Sequence, residues 1–363
     1  MATLDKKRAL EKLELLFGSP ELFPQQLELN GDRVLLLRLD ERIYHEAAFL
    51  DERLSGADIP GFWVSLEDLE TRFGRQPVQA PPQHWIFHVG HCGSTLLSRL
   101  LSALGGYLPL REPPVLRSLA EARRDLGSPL SRLDPARWPL ILDLVLALLG
   151  RRYRVDGMPL VKATSSCNNL LSPVLEAAPD SRAMLLYLSL ENYLATMLRA
   201  GGSRTDTESH ARSRLQDLLE LAGTDCGLRL YKLSLPQRAV VNWLSCVALF
   251  SAARKDHAER LLFLDFDDFL RSPGSELHAL GRFFATNKAP EDSAKVLASG
   301  VMNRYAKAPE HAYSGELRAR ELDDSRRRFS AEIQQGLTWA ATLLRTHPAL
   351  EKQLDPVFLP GAG

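Results

Sequence analysis

The stretch His84–Leu104 (HWIFHVGHCGSTLLSRLLSAL) determines which fold this chain can adopt. A short apolar run leads into the glycine-containing segment Val89–Thr95, and leucines at helical spacing follow until Gly105-Gly106. This order predicts a strand, a tight loop and a helix. Gly90 and Gly93 allow the backbone to approach a ligand closely, and consecutive N–H groups at a helix N-terminus bind anions. The pattern is therefore typical of a phosphate-binding loop.

The same residues leave a second interpretation open. Ser94 and Thr95 are good helix-capping residues, so the segment also fits a plain strand-to-helix turn. A loop that binds nucleoside triphosphates has a lysine before its Ser or Thr, whereas Gly93 stands here and His91 is the nearby cation candidate. This difference disfavours a nucleotide-dependent kinase without excluding one.

The composition of the 363 residues is that of a globular protein, with 45% hydrophobic and 25% charged residues. Lys+Arg 45 and Asp+Glu 45 give a net charge of +0, which argues against a nucleic-acid partner and a polybasic membrane binder. The best apolar run, Pro139–Gly150, is too short to span a bilayer and contains Asp143. The four cysteines form no metal-binding pattern, and the first residues mix acids and bases where a signal peptide needs an uninterrupted apolar stretch. We therefore expect a soluble cytoplasmic protein, whose oligomeric state the sequence does not indicate.

A change in the residue pattern along the chain predicts two domains. Arg75–Gln83 (RQPVQAPPQ) has consecutive prolines, which stop both helices and strand pairing, so we place a boundary there. Residues 1–80 are expected to form a small α+β accessory module that includes the strand Arg33–Leu39. Residues 81–363 are expected to form the main domain, with a helical C-terminal part.

Short apolar runs alternate with helical patterns in the main domain. The expected strands are Trp85–Val89, Tyr107–Leu110, Leu160–Ala163, Ala183–Leu188 and Leu261–Phe266. The expected helices surround Thr95–Leu104, Pro135–Leu149, Leu170–Ala178, Leu190–Arg199 and Gln237–Ala253. Continuously apolar strands between helices indicate an α/β fold of three layers (αβα) around a mainly parallel, phosphate-loop-like sheet of about five strands. Ligands of such sheets bind beyond the carboxyl ends of the strands.

The loop and its leucines resemble the sulfotransferase superfamily. Its members carry Gly-x-Pro-(Arg/Lys)-Ser-Gly-Thr-Thr after their first strand, and this loop holds the donor 3′-phosphoadenosine 5′-phosphosulfate (PAPS). When Gly93–Leu97 is matched to the second half of the motif, His91 takes the basic position and Cys92 the serine position. The resemblance implies a donor-binding loop made of Gly90, His91, Cys92, Gly93, Ser94 and Thr95. It also implies that no metal ion is needed.

Two later segments resemble the same family, and the resemblance covers roughly residues 84–284. Glu112, in an Arg-Glu-Pro-Pro segment, stands where several branches have a general base that deprotonates the acceptor hydroxyl. Lys162, followed by Thr164 and Ser165, resembles a Lys-Ser/Thr-Pro segment that suits an anionic ligand. The resemblance gives Glu112, His91 and Lys162 catalytic roles. For Glu112 the alternatives are an ion pair with Arg111 and an acidic residue in the first turn of a helix before Leu116. For Lys162 the alternative is a side chain that extends to solvent from a strand edge.

The segment after the fourth strand departs from the family. The family has an arginine and, further on, a serine that bind the 3′-phosphate of the donor. Leu188 replaces that arginine, whereas Thr196 fits the serine position. Arg199 lies three residues beyond Thr196 on the same helix, and Arg204 follows shortly after, so either could replace the missing cation.

The sequence fits other functional classes less well than a transferase. His84 and His88 are about 13 Å apart along a strand, which is too far for one zinc ion. A cysteine hydrolase would need Cys92 to have a lowered pKa at the helix N-terminus and an oriented His–acid pair, which is not evident. We expect a sulfotransferase-like enzyme that moves a sulfuryl group from PAPS to a small-molecule, carbohydrate or peptide acceptor. A phosphate-loop kinase and an inactive binding module with the same fold remain open.

Overall fold

The computed structural model describes residues 18–56, 59–73, 80–154, 157–199, 201–223, 225–284, 289–305, 308–312 and 314–359. The strands are β1 (Leu22–Glu28), β2 (Arg33–Arg38), β3 (Gly61–Ser65), β4 (His84–His88), β5 (Tyr107–Arg111), β6 (Met158–Lys162), β7 (Ala183–Tyr187), β8 (Leu261–Asp265), β9 (Arg304–Tyr305) and β10 (Ala308–Ala312). The helices are α1 (Glu41–Glu46), α2 (Leu66–Phe73), α3 (Ser94–Leu104), α4 (Val115–Asp125), α5 (Trp138–Leu149), α6 (Leu171–Ala177), α7 (Leu190–Arg199), α8 (Gly201–Ala222), α9 (Leu235–His257), α10 (Phe266–Arg271), α11 (Pro273–Phe283), α12 (Pro290–Ala298), α13 (Gly315–Arg328), α14 (Ser330–Thr346) and α15 (Pro348–Glu351).

A five-stranded sheet in the order β5-β6-β4-β7-β8 forms the centre of the fold. Each neighbouring pair in this sheet is parallel. Every residue of β4 and β5 is buried, as expected for strands that are covered on both faces. The five strands and the α/β class expected from the sequence are therefore confirmed, and the sheet is parallel throughout.

Helices cover both faces of this sheet. Across the sheet, the connection from β4 to β5 runs toward one edge, whereas the connections from β5 to β6, β6 to β7 and β7 to β8 run toward the opposite edge. Because such crossovers are right-handed, α3 lies on one face of the sheet and α5, α6 and α9 lie on the other. The contacts agree, because α3 packs against α11 and α12, whereas α9 packs against α6, α8 and α14. The three-layer αβα arrangement follows.

The first described residues form a separate antiparallel sheet, β1-β2-β3. Its strand β1 packs against α4 and α5, and Arg137 pairs with Asp32 and Glu70 across this contact. The buried apolar side chains of this sheet and of the central sheet form one continuous cluster. Residues 74–79 of the expected boundary lie outside the described residues, so the division at residue 80 stays a prediction. No helix in the described ranges is both long enough and apolar enough to cross a bilayer.

Candidate functional site

The loop between β4 and α3 has an unusual backbone. Gly90, His91 and Gly93 have φ angles of 94°, 50° and 80°, all in the left-handed region. The N–H of Val89 donates to the Leu186 carbonyl at 3.1 Å, and the N–H of Gly90 donates to Nδ1 of His88 at 3.0 Å. Within the described ranges, no protein acceptor binds the next five N–H groups, from residue 91 to residue 95. These amides at the N-terminus of α3 are free to bind an anion.

The His88 side chain fixes the base of the loop. Its Nδ1 accepts the Gly90 N–H, so the proton lies on Nε2, which donates to the Ala163 carbonyl at 3.0 Å. The Asn168 amide donates to the His88 carbonyl at 3.0 Å. Strand β6 and the turn after it therefore hold the loop from below. No signal in the sequence points to this role of His88.

Phe266 covers the loop from the other side. A Cβ atom added to Gly93 would lie 2.1 Å from Cζ of the Phe266 ring, so only glycine fits at residue 93. The Arg318 guanidinium lies 5.2 Å from the centroid of the same ring. Phe266 follows β8 directly, at the carboxyl end of the sheet. In the sequence, Phe266 is only the end of an expected strand, and nothing indicates its contact with the loop.

His91, the expected cation of the loop, contacts a carboxylate. Its Nε2 lies 2.7 Å from Oδ2 of Asp206 on α8, and the His91 side chain is 25% exposed. The carboxylate orients the imidazole ring at the rim of the loop. Asp206 was not expected from the sequence, because it stands in a polar stretch with no motif.

Cys92 turns its side chain into the protein. The thiol is fully buried and lies 3.7 Å from the Leu186 carbonyl oxygen. Burial raises the pKa of Cys92 to about 12, against the smaller opposing effect of the Lys162 ammonium. The lowered pKa that a cysteine hydrolase needs is therefore absent, and Cys92 offers a ligand only its backbone.

The structure brings Glu112 and Lys162 together in an ion pair. Their positions at the carboxyl ends of neighbouring parallel strands place them at the same edge of the sheet. The Lys162 side chain is 1% exposed and that of Glu112 is 17% exposed. The Glu112 N–H also donates to the Lys162 carbonyl at 2.7 Å, and Glu112 has a φ of 59°. The interpretation of Lys162 as a side chain that extends to solvent is wrong, because the ammonium is buried.

The alternative ion pair between Arg111 and Glu112 is also wrong. The Arg111 guanidinium is 1% exposed and donates to the Ala47 carbonyl at 2.7 Å and to the Ser98 hydroxyl at 3.1 Å. Arg111 thus joins β5 to the segment after α1.

That N-terminal segment borders the Glu112–Lys162 pair. The Phe49 ring centroid lies 5.6 Å from Nζ of Lys162, and both carboxylate oxygens of Glu52 accept from Arg117 at 2.7 Å. On the loop side, Ser165 Oγ lies 3.5 Å from the position of a Cβ built on Gly90. The loop, the turn after β6 and the N-terminal segment therefore surround one region at the carboxyl edge of the sheet.

The residues expected to bind a 3′-phosphate have other partners. The Thr196 hydroxyl donates to the Asn192 carbonyl of its own helix at 2.8 Å, and Arg199 pairs with Glu321. Arg204 is exposed on α8. In the part of the chain that the structure describes, no hydrogen bond joins these three side chains to the loop, so their role stays a prediction.

Metal chemistry has no candidate centre in the described ranges, where no three His, Cys, Asp or Glu side chains are grouped to hold an ion.

No family model matches the chain, and no curated protein matches it. Three solved structures are similar to it at low identity. The sulfotransferase domain from the curacin biosynthetic pathway is 16% identical, with 70% of this chain and 99% of that chain covered and a TM-score of 0.39. Sulfotransferase STF9 from Mycobacterium avium is 14% identical, with 73% and 84% covered and a TM-score of 0.36. Sulfotransferase STF1 from Mycobacterium tuberculosis H37Rv is 12% identical, with 73% and 81% covered and a TM-score of 0.39.

Proposed function

We propose that this protein is a sulfotransferase that uses PAPS as donor and a hydroxyl or amine compound as acceptor. The observation that carries the proposal is the run of five N–H groups, residues 91–95, for which the described part of the protein provides no acceptor. A second support is the ion pair of Glu112 and Lys162, which gives a base and a cation on the same edge of the sheet.

The donor's 5′-phosphosulfate would bind to the loop amides and the N-terminus of α3. Backbone N–H groups and the helix dipole stabilise an anion without any movement of side chains. His91, oriented by Asp206, would add a donor at the rim of the loop. Ser94 and Thr95 would add hydroxyl groups, and the Thr95 hydroxyl is buried with no partner in the described residues.

During the transfer, Glu112 and Lys162 would have separate roles. The acceptor oxygen or nitrogen attacks the sulfur, the bond from sulfur to the bridging phosphate oxygen breaks, and adenosine 3′,5′-bisphosphate leaves. Glu112 takes the proton that the acceptor loses, while the Lys162 ammonium stabilises the charge that develops on the bridging oxygen. Because each group holds the other in the resting protein, donor binding would release the carboxylate for proton transfer.

The 3′-phosphate would be bound by Thr196 with Arg199 or Arg204, in place of the arginine that Leu188 replaces. Arg199 would have to exchange its contact with Glu321 for the phosphate. The acceptor would be a small molecule, a carbohydrate or a peptide that enters beside Glu112 and Phe49.

The test is a transfer assay with ³⁵S-labelled PAPS and a panel of phenols, amines, sugars and peptides. With an acceptor in hand, we expect Glu112→Gln to lower kcat by about 100-fold or more, since a positioned base contributes that much. Glu121→Gln, which changes an exposed carboxylate on α4, should leave kcat unchanged. Full turnover by Glu112→Gln would remove the base assignment, and phosphate transfer from ATP with no sulfuryl transfer would favour the kinase.

A further inference from the structure

A groove separate from the loop lies between α4, α5, α6 and α8. Its volume is about 880 Å³, in the range of small-molecule sites. Trp138, Pro139 and Leu142 give it an apolar wall, and none of its lining residues belongs to the candidate donor site.

A smaller chamber of about 80 Å³ adjoins this groove, and the two share Arg123 and Glu220 as lining residues. Asn168 and Asn169 line the chamber and are 0% and 3% exposed. Because one water molecule takes about 30 Å³, the chamber has room for two or three heavy atoms.

Two asparagines that line this chamber have side-chain oxygens without a hydrogen-bond donor in the described residues. The Asn168 amide nitrogen donates to the His88 carbonyl at 3.0 Å, and that of Asn169 donates to the Ala120 carbonyl at 2.9 Å. These bonds fix the orientation of both amides, so the Oδ1 atoms are the ones left over. Both Oδ1 atoms are buried with no hydrogen-bond donor in the described residues. A buried amide oxygen without a donor is unfavourable, so the chamber is suited to a group that carries N–H.

The charges around the groove select the sign of that group. Arg124 and Asp217 neutralise each other in a buried ion pair with a shortest distance of 2.7 Å. The remaining charged groups are the carboxylates of Asp143, Glu176 and Glu220 and the single guanidinium of Arg123. Within the described ranges none of these four is in an ion pair, so the groove carries excess negative charge.

We infer that the groove and its chamber bind a small organic cation with a primary ammonium head and an apolar stem. The ammonium N–H groups donate to Oδ1 of Asn168 and Asn169, and the nearby Glu220 carboxylate neutralises the charge. The stem lies in the groove against Trp138 and Leu142. The alternative occupant is water, which would also satisfy the amide oxygens.

The test uses 1-aminopentane and its uncharged analogue 1-pentanol in isothermal titration calorimetry with the full chain. We expect the amine to bind with a Kd below about 1 mM and the alcohol to bind at least about tenfold more weakly, since only the amine offers both a charge and three N–H donors. Glu220→Gln should weaken amine binding about five- to tenfold. The matched control is Glu208→Gln, an exposed carboxylate on the same helix but outside the groove, which should leave the Kd unchanged.

A second variant tests the chamber itself. Ala252 lines it, so Ala252→Leu should fill the space and abolish amine binding while the groove stays open. Equal binding of the amine and the alcohol, an unchanged Kd in Glu220→Gln, or no heat from the amine at 20 mM would each overturn the inference. The last result would mean that the chamber holds water only, and an unchanged Kd in Glu220→Gln would mean that the amine does not bind beside this carboxylate.

Discussion

Gly93→Ala is the substitution that the geometry of the loop opposes most strongly. The new methyl group would lie 2.1 Å from Cζ and 2.2 Å from Cε2 of the Phe266 ring, where carbon atoms normally keep about 3.5 Å or more. Phe266 is 2% exposed and stacks on Phe269 at 6.1 Å between ring centroids, so the ring has little room to retreat. The backbone φ of 80° adds strain for any residue with a Cβ.

The two effects can be given magnitudes. An alanine in the left-handed region costs about 1 kcal/mol, and overpacking a well-filled contact costs about 1–3 kcal/mol. Gly93→Ala should therefore lower the free energy of unfolding by about 2–4 kcal/mol. Gly127 is a matched control, because its φ is 74° and no atom lies within 4 Å of its Cβ position. Gly127→Ala should show only the conformational part, about 1 kcal/mol.

The assay is urea unfolding followed by circular dichroism, with the m-value used to check that the transition stays the same. A double variant, Gly93→Ala with Phe266→Leu, should be less destabilised than the sum of the two single variants by about 1–3 kcal/mol, because the shorter side chain removes the overlap. If Gly93→Ala is no more destabilising than Gly127→Ala, the ring does not lie against the loop and the described site geometry is wrong.

Three further predictions concern pH and buried charge. Burial, aided by Arg182, lowers the pKa of His84 to about 4. Between pH 6.5 and pH 4 the unfolded chain therefore binds a proton at this residue that the folded chain does not bind. The free energy of unfolding should fall by up to about 3 kcal/mol as the pH drops over this range. His84→Phe should reduce this fall in urea unfolding at pH 7.5 and 5, and an identical fall in the variant would contradict the assignment. Burial raises the pKa of Asp143 to about 6, so the free energy of unfolding falls as the pH rises from 4 to 6. Because solvent screens this partly exposed group, the effect should be small. Asp143→Asn should raise the free energy of unfolding by about 1 kcal/mol at pH 8 and leave it unchanged at pH 4. Asp217→Asn leaves the buried Arg124 without its carboxylate and should lower the free energy of unfolding by about 3 kcal/mol. The double variant Arg124→Met with Asp217→Leu should recover most of this loss, because it leaves no unpaired charge. A double variant as unstable as Asp217→Asn would contradict this explanation.

The sheet could be predicted from the sequence because its strands are buried on both faces and therefore read as continuous apolar runs. The ends of the strands were less accurate. The run Leu160–Ala163 corresponds to β6, which begins at Met158 and ends at Lys162, because backbone pairing with β5 and β4 sets these limits rather than side-chain hydropathy.

Part of the candidate site was also predictable. Glu112 follows β5 and Lys162 is the last residue of the neighbouring strand β6. Parallel strands bring their carboxyl ends to one edge, so order along the chain was enough to place the two residues together. The partner of His91 could not be predicted, because Asp206 is 115 residues away and α8 has no motif that marks the face turned toward the loop. Phe266 was equally hidden, because its contact with Gly93 depends on how α10 packs against the loop.

The buried amide oxygens of Asn168 and Asn169 in the smaller chamber could not be predicted either. The sequence predicts a helix around Leu170–Ala178 and gives no binding role to Asn168 and Asn169 before it. Only the bonds to the His88 and Ala120 carbonyls reveal which atom of each amide is left over.

The central claim is that the loop amides bind the anionic end of the donor. The most direct measurement is the backbone amide spectrum of ¹⁵N-labelled protein, recorded as adenosine 3′,5′-bisphosphate is added, with adenosine as the control. The account predicts that the amide proton signals of residues 91–95 move downfield with the nucleotide and stay in place with adenosine, because an N–H that donates to a phosphate oxygen is deshielded. Unchanged signals for these five residues at saturating nucleotide would contradict it.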